Sequence, residues 1–153
     1  MQIKLTNQQV LTLEQAITAL DGKTETQIVD GKPVQTLKPY KVAYTARWAM
    51  ARNTGRLAEA SAAFHRVKSA LITQHTGGEG AISPANGNFN AFAKDYEQLA
   101  AEVVEFDLHP IKLADLKLPE NEAAGNEFPI GLLNALHQLI IDNGELTTLS
   151  TVH

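Results

Sequence analysis

The sequence predicts a mostly helical α+β fold. It comprises a long antiparallel helix pair with two further helices, a small sheet of the N-terminal strand and a strand at residues 103–109, and a β-hairpin excursion at 24–37. Three observations predict it. Apolar residues keep helical spacing from residue 42 to 71, Asp30-Gly31 divides two short β-capable runs, and period-two alternation appears at Ile3/Leu5 and again at Val104/Phe106/Leu108. At 153 residues, with 44% hydrophobic and 20% charged residues, the chain suits one hydrophobic core. We therefore expect a single globular domain at 1–144 and a polar tail at 145–153.

Ile3 and Leu5 alternate with polar neighbours as in a strand with one buried face. Thr6 and Gln9 have the spacing of a capping box, in which each side chain satisfies an otherwise unpaired backbone N–H. Val10, Leu13, Ile17 and Leu20 follow at helical spacing, and Gly22 is the expected stop. Between Thr24 and Leu37, Asp30-Gly31 favours a tight turn with φ > 0 at both positions, and Pro33 restricts its strand to an edge. With only Ile28, Val29, Val34 and Leu37 as apolar content, this hairpin is expected to be an excursion, not part of the core.

Pro39 can open the next helix, since its missing N–H costs nothing in a first turn. Val42, Ala46, Ala49, Met50, Leu57, Ala60, Phe64, Val67 and Leu71 fall in one arc of that helix, which Gly77-Gly78 ends. Gly55, inside it, marks a bend or a close backbone approach. Residues 76–90 read as a loop. Phe89, Phe92, Tyr96, Leu99 and Val103 then form the seam of a helix antiparallel to the long one. Leu113, Leu116 and Leu118 suggest a short packed turn, and 119–127 a polar linker. Pro129 starts a last helix with Leu132, Leu133, Leu136, Leu139 and Ile140 inward and Gly144 as its C-cap.

The absence of cysteine excludes disulfides, Cys-zinc sites, iron–sulfur clusters and thiol nucleophiles. The N-terminus lacks the apolar run of a signal peptide, and no stretch of about 18 apolar residues exists to span a membrane. The expectation is a soluble cytoplasmic protein with no membrane partner. Five histidines occur without HExxH or closely spaced acidic ligands, so neither a metal nor another cofactor is expected. Gly77-Gly78-Glu79-Gly80 lacks the Lys-Ser/Thr of a phosphate loop and leaves a helix instead of entering one. Glu102, Glu105 and Asp107 could do acid–base chemistry but read equally as a solvated face. No catalytic residue is assigned, and the chain is expected not to be an enzyme.

Charge is unevenly placed. The net value of −4 hides seven basic residues between 38 and 68 against Glu59 alone, and nine acidic against three basic between 89 and 127. Two packed helices could neutralise each other across their flanks, or the surface could be polar enough to steer a charged partner. On the helical wheel Lys41, Tyr44, Trp48, Arg52 and Arg56 lie off the apolar arc. The single Trp either packs beneath the hairpin or first helix, or anchors a protein interface, where Trp, Tyr and Arg are enriched. The same basic arc could bind nucleic acid, with Tyr44 and Trp48 stacking bases, although the pI near 5.7 argues against it.

Leu5-Thr6, the helix bearing Lys41, Val42, Tyr44, Ala51, Arg52 and Asn53, and the late acidic strand with Val104, Phe106 and Leu108 together resemble a diffuse group of small, mostly uncharacterised bacteriophage and prophage proteins. The Thr24–Leu37 hairpin is longer than the link in that pattern. The resemblance implies a phage accessory role in the host cytoplasm and transfers no catalytic residue. The expected function is protein–protein binding, as an inhibitor of a host defence protein or a self-assembling morphogenesis factor. Its partner would be a host or phage protein or a second copy, with nucleic-acid association as the alternative.

Overall fold

The computed structural model describes residues 1–142 and 145–146, and the fold is the mostly helical α+β one expected. Two compact units divide the chain: Met1–Leu11 with Gly55–Asp107, and Thr12–Thr54 with Leu108 onward. The expected C-cap at Gly144 lies outside the described residues, as does the polar tail apart from the backbone at 145–146.

In the first unit, β1 (Gln2–Thr6) pairs antiparallel with β4 (Val103–Asp107), Ile3 opposite Phe106 and Leu5 opposite Val104. The strand expected over 103–109 therefore ends at Asp107. The capping box forms as its spacing requires: the Thr6 N–H donates to Gln9 Oε1 at 2.9 Å and the Gln9 N–H to Thr6 Oγ1 at 3.1 Å. It starts α1 (Asn7–Ala19), whose Asn7 side chain donates to the Leu99 carbonyl at 2.8 Å.

The long helix α2 (Tyr44–Thr76) and α3 (Phe89–Ala101) meet in this unit through aromatic rings. Phe64 lies 5.9 Å from Tyr96 between centroids, Phe92 lies 6.0 Å from Tyr96, and His75 lies 6.1 Å from Phe92. Because His75 meets Phe92 while Phe64 meets Tyr96 further along α3, the helices are antiparallel. Phe64 and Phe92 are buried, but Val67 is 45% exposed and Val103 leaves the seam for β4. The Gly77 and Gly78 amides both donate to the Thr73 carbonyl and close α2 where expected. A Cβ at Gly55 would meet no other atom within 4 Å, so the close approach suggested by that glycine is not present.

In the second unit the hairpin forms as β2 (Lys23–Val29) and β3 (Lys32–Lys38), with φ of 53° at Asp30 and 78° at Gly31. Its apolar side chains are exposed, Ile28 by 78%. Gly22, which ends α1, has φ 150°, and a Cβ there would lie 2.6 Å from the Lys38 carbonyl oxygen. Only glycine fits that junction.

The remaining elements are β5 (Ile111–Lys112), a 3₁₀ turn at Leu113–Leu116, α4 (Leu118–Ala123), α5 (Ile130–Leu136), β6 (Ile140–Asp142) and β7 (Glu145–Leu146). Strand β6 pairs parallel with β5 and antiparallel with β7. Two expectations are corrected here. The supposed polar linker at 119–127 contains α4 and two buried asparagines, Asn121 and Asn126. The last helix stops at Leu136, because His137–Leu139 tightens into a 3₁₀ turn and delivers Ile140 to a strand. Leu136, Leu139 and Ile140 are nonetheless all fully buried.

Candidate functional site

Residues 39–43 do not begin the long helix. Tyr40 is buried and stacked on Phe128 with ring centroids 4.2 Å apart, and burial raises its phenol pKa above the ordinary 10.0. The Lys41 N–H donates to Asn121 Oδ1 at 2.7 Å, and Asn121 Nδ2 donates back to the Lys41 carbonyl at 2.8 Å and to the Leu116 carbonyl at 2.9 Å. Asn126 Nδ2 donates to the Pro39 carbonyl at 3.0 Å, and the Ala43 N–H to the Asp115 carbonyl at 2.8 Å. These bonds claim backbone groups that an earlier helical turn would use, so α2 starts at Tyr44. Lys41 and Val42 consequently lead into the helix and are not on its wheel.

Tyr44, Trp48 and Arg52 follow at i, i+4 and i+8 on α2, away from the buried Ala46, Met50 and Asn53. Tyr44 is 81% exposed and Trp48 66% exposed. Trp48 is therefore not packed beneath the hairpin or the first helix. The second unit thus carries four of the five residues expected to act together: Lys41, Tyr44, Trp48 and Arg52, all exposed. Arg56, the next i+4 position, belongs to the first unit and lines a groove there.

Electrostatics sharpen this face. Among the described residues, none of the seven basic side chains between 38 and 68 forms an ion pair with a carboxylate. Arg47 donates to the Tyr40 carbonyl at 2.8 Å, and the Lys68 ammonium sits 5.5 Å from the Tyr96 ring centroid. Between α2 and α3, among the described residues, the one contact of a basic side chain with a carboxylate is His75 Nε2 to Asp95 Oδ2 at 2.9 Å. Lys41 and Arg52 are exposed and form no ion pair among the described residues.

Elsewhere, Asp107 receives the Met1 amino group at 2.9 Å, and His137 Nδ1 lies 2.7 Å from the Asn134 carbonyl oxygen. Among the described residues no group of three His, Asp or Glu is placed to hold a metal. No helix among them is long and apolar enough to cross a membrane.

The residues that sequence reasoning missed are the asparagines. Asn53 is fully buried: its Nδ2 donates to the His109 carbonyl at 2.8 Å and its Oδ1 accepts the His109 N–H at 2.7 Å. A signal existed, since Asn53 falls between Met50 and Leu57 on the buried stripe, where an amide must find partners. Comparison with family models, characterised proteins and solved structures gives no match.

Proposed function

We propose that the chain is a non-enzymatic protein-binding module that docks the Lys41–Tyr44–Trp48–Arg52 face on an acidic surface of its partner. The observation that carries this reading is the 66% exposure of the only Trp, one helical turn from both an exposed Tyr and an Arg that lacks an ion pair among the described residues. Such a cluster offers a large ring to desolvate and a planar donor for carboxylates, the combination that dominates interface energetics. In the phage setting that the resemblance implies, the partner is a host protein in the cytoplasm, with host-defence inhibition as the role, or a second copy during assembly.

Affinity capture from bacterial lysate, paired with light scattering of the purified chain, identifies which. Against the partner so found, Trp48→Ala weakens binding by about 2 kcal/mol or more, a hot-spot magnitude, and Arg52→Glu abolishes it by setting like charges together. Unchanged affinity in both variants overturns the reading. The nucleic-acid alternative draws on the same exposed rings. It makes a separate forecast, a steep log–log loss of oligonucleotide binding with salt.

A further inference from the structure

A second surface lies wholly in the first unit and is independent of Trp48. A groove of about 600 Å³ runs between α2 and β4, and every residue of β4 from Val103 to Asp107 lines it. Successive side chains of a strand point to opposite faces. A cavity that touches all five therefore follows the edge of the strand and does not lie over one face. Among the described residues that edge is open, since the sheet there pairs β4 with β1 alone.

The hydrogen-bond phase shows what the edge presents. The Asn7 N–H donates to the Glu102 carbonyl at 3.0 Å, which makes 7 and 102 a hydrogen-bonded pair. Alternation along the antiparallel register then turns the backbone groups of Val104 and Phe106 toward β1 and those of Val103 and Glu105 outward. No described residue bonds the outward amides of Val103 and Glu105, and Val103 is 57% exposed. Beyond the edge, α2 supplies an apolar floor of Ala60, Ala63 and the half-exposed Val67. The rim is acidic: Glu59, Glu102 and Glu105 face the groove against Arg56 alone, with Asp107 already holding the Met1 amino group.

We propose that β4 accepts a third strand, an extended cationic segment of a partner protein with apolar side chains at alternate positions. Its backbone pairs with Val103 and Glu105, its apolar side chains cover the α2 floor, and its Lys or Arg side chains meet the carboxylate rim. Strand addition draws affinity from main-chain bonds and specificity from alternate side chains, and each requirement is present here. The acidic rim selects a basic segment and repels an acidic one.

The test uses the full chain, ¹⁵N-labelled, titrated with a blocked heptapeptide of alternating Lys and Val. Saturable shifts are expected at the Val103, Glu105 and neighbouring β4 amides, with no binding of the Glu/Val counterpart. Two further peptides, N-methylated at every Val or at every Lys, separate strand pairing from charge attraction, and one of the pair should lose at least tenfold in affinity. Glu59→Lys with Glu102→Lys should cost at least tenfold as well. Absence of binding, shifts located away from β4, or equal affinity for both N-methylated peptides and the parent overturns the proposal without recourse to any protein variant.

Discussion

The α2–α3 seam and the segment at 39–43 hold the backbone by opposite means. In the seam, rings of Phe64, Phe92 and Tyr96 interlock, and stability comes from apolar area withdrawn from water in a repeating pattern. At 39–43 one amide side chain, Asn121, satisfies both backbone groups of Lys41, and Asn126 takes the Pro39 carbonyl. The first device is distributed and the second is concentrated in single residues. A distributed core tolerates small adjustments of its neighbours, whereas an amide clasp has no substitute of similar shape that keeps both donor and acceptor.

The largest effect is therefore expected where an entire ring is removed. Phe64→Ala should cost about 3–5 kcal/mol, from lost transfer energy plus the cavity left behind, because Phe64 is only 3% exposed. Denaturant titration of the variant reads this directly. A loss below about 1 kcal/mol would show that the seam does not rely on this ring.

Asn121→Leu tests the other side of the comparison. Leu keeps the branched shape of the side chain but puts two larger methyls where the amide atoms were, leaving the Lys41 N–H and the Leu116 carbonyl unsatisfied. The expected loss is about 1–3 kcal/mol, accompanied by faster hydrogen exchange at the Lys41 amide. Unchanged exchange at that amide would mean that the clasp does not hold the segment.

These two devices also account for what the sequence made legible. Periodicity reveals distributed packing, so the capping box at Thr6, the hairpin turn at Asp30-Gly31, the β1–β4 pairing and the α2–α3 seam were all readable from spacing. It is blind to a polar side chain that reaches backbone about eighty residues away in sequence, as Asn121 does to Lys41. Both the premature helix start at Pro39 and the missed α4 trace to that contact. The candidate face divides in the same way: Tyr44, Trp48 and Arg52 keep the predicted i+4 spacing, Lys41 reaches the surface from an extended segment, and Arg56 belongs to the groove of the other unit.

Tyr40 sharpens the comparison through pH. Its folded pKa is raised by burial, so the folded state binds the phenol proton more tightly than the unfolded chain does. Its contribution is fully present below the unfolded value of 10.0 and is lost as pH rises through the higher folded value. Stability of the clasped region should fall in that window, with phenolate absorbance appearing as it opens. Tyr40→Phe should remove this alkaline step. A step of equal size in that variant would assign the alkaline loss to another group.

The smallest effect is expected at the most conspicuous residue. Trp48→Ala deletes a side chain that is 66% exposed, on a face opposite Met50 and Asn53, so little apolar area returns to water. Alanine also has the higher helix propensity, which offsets part of any packing lost along α2. Stability should change by no more than about 0.5 kcal/mol, the usual range for a surface position. Phe64 and Trp48 thus become a matched pair on one helix, one ring withdrawn from water and one presented to it. A loss for Trp48→Ala approaching that of Phe64→Ala would make the indole a structural ring and leave the proposed binding face without its anchor. A near-neutral value leaves the indole free of any structural duty, and the affinity of the same variant for the captured partner then decides whether it is the anchor of the proposed face.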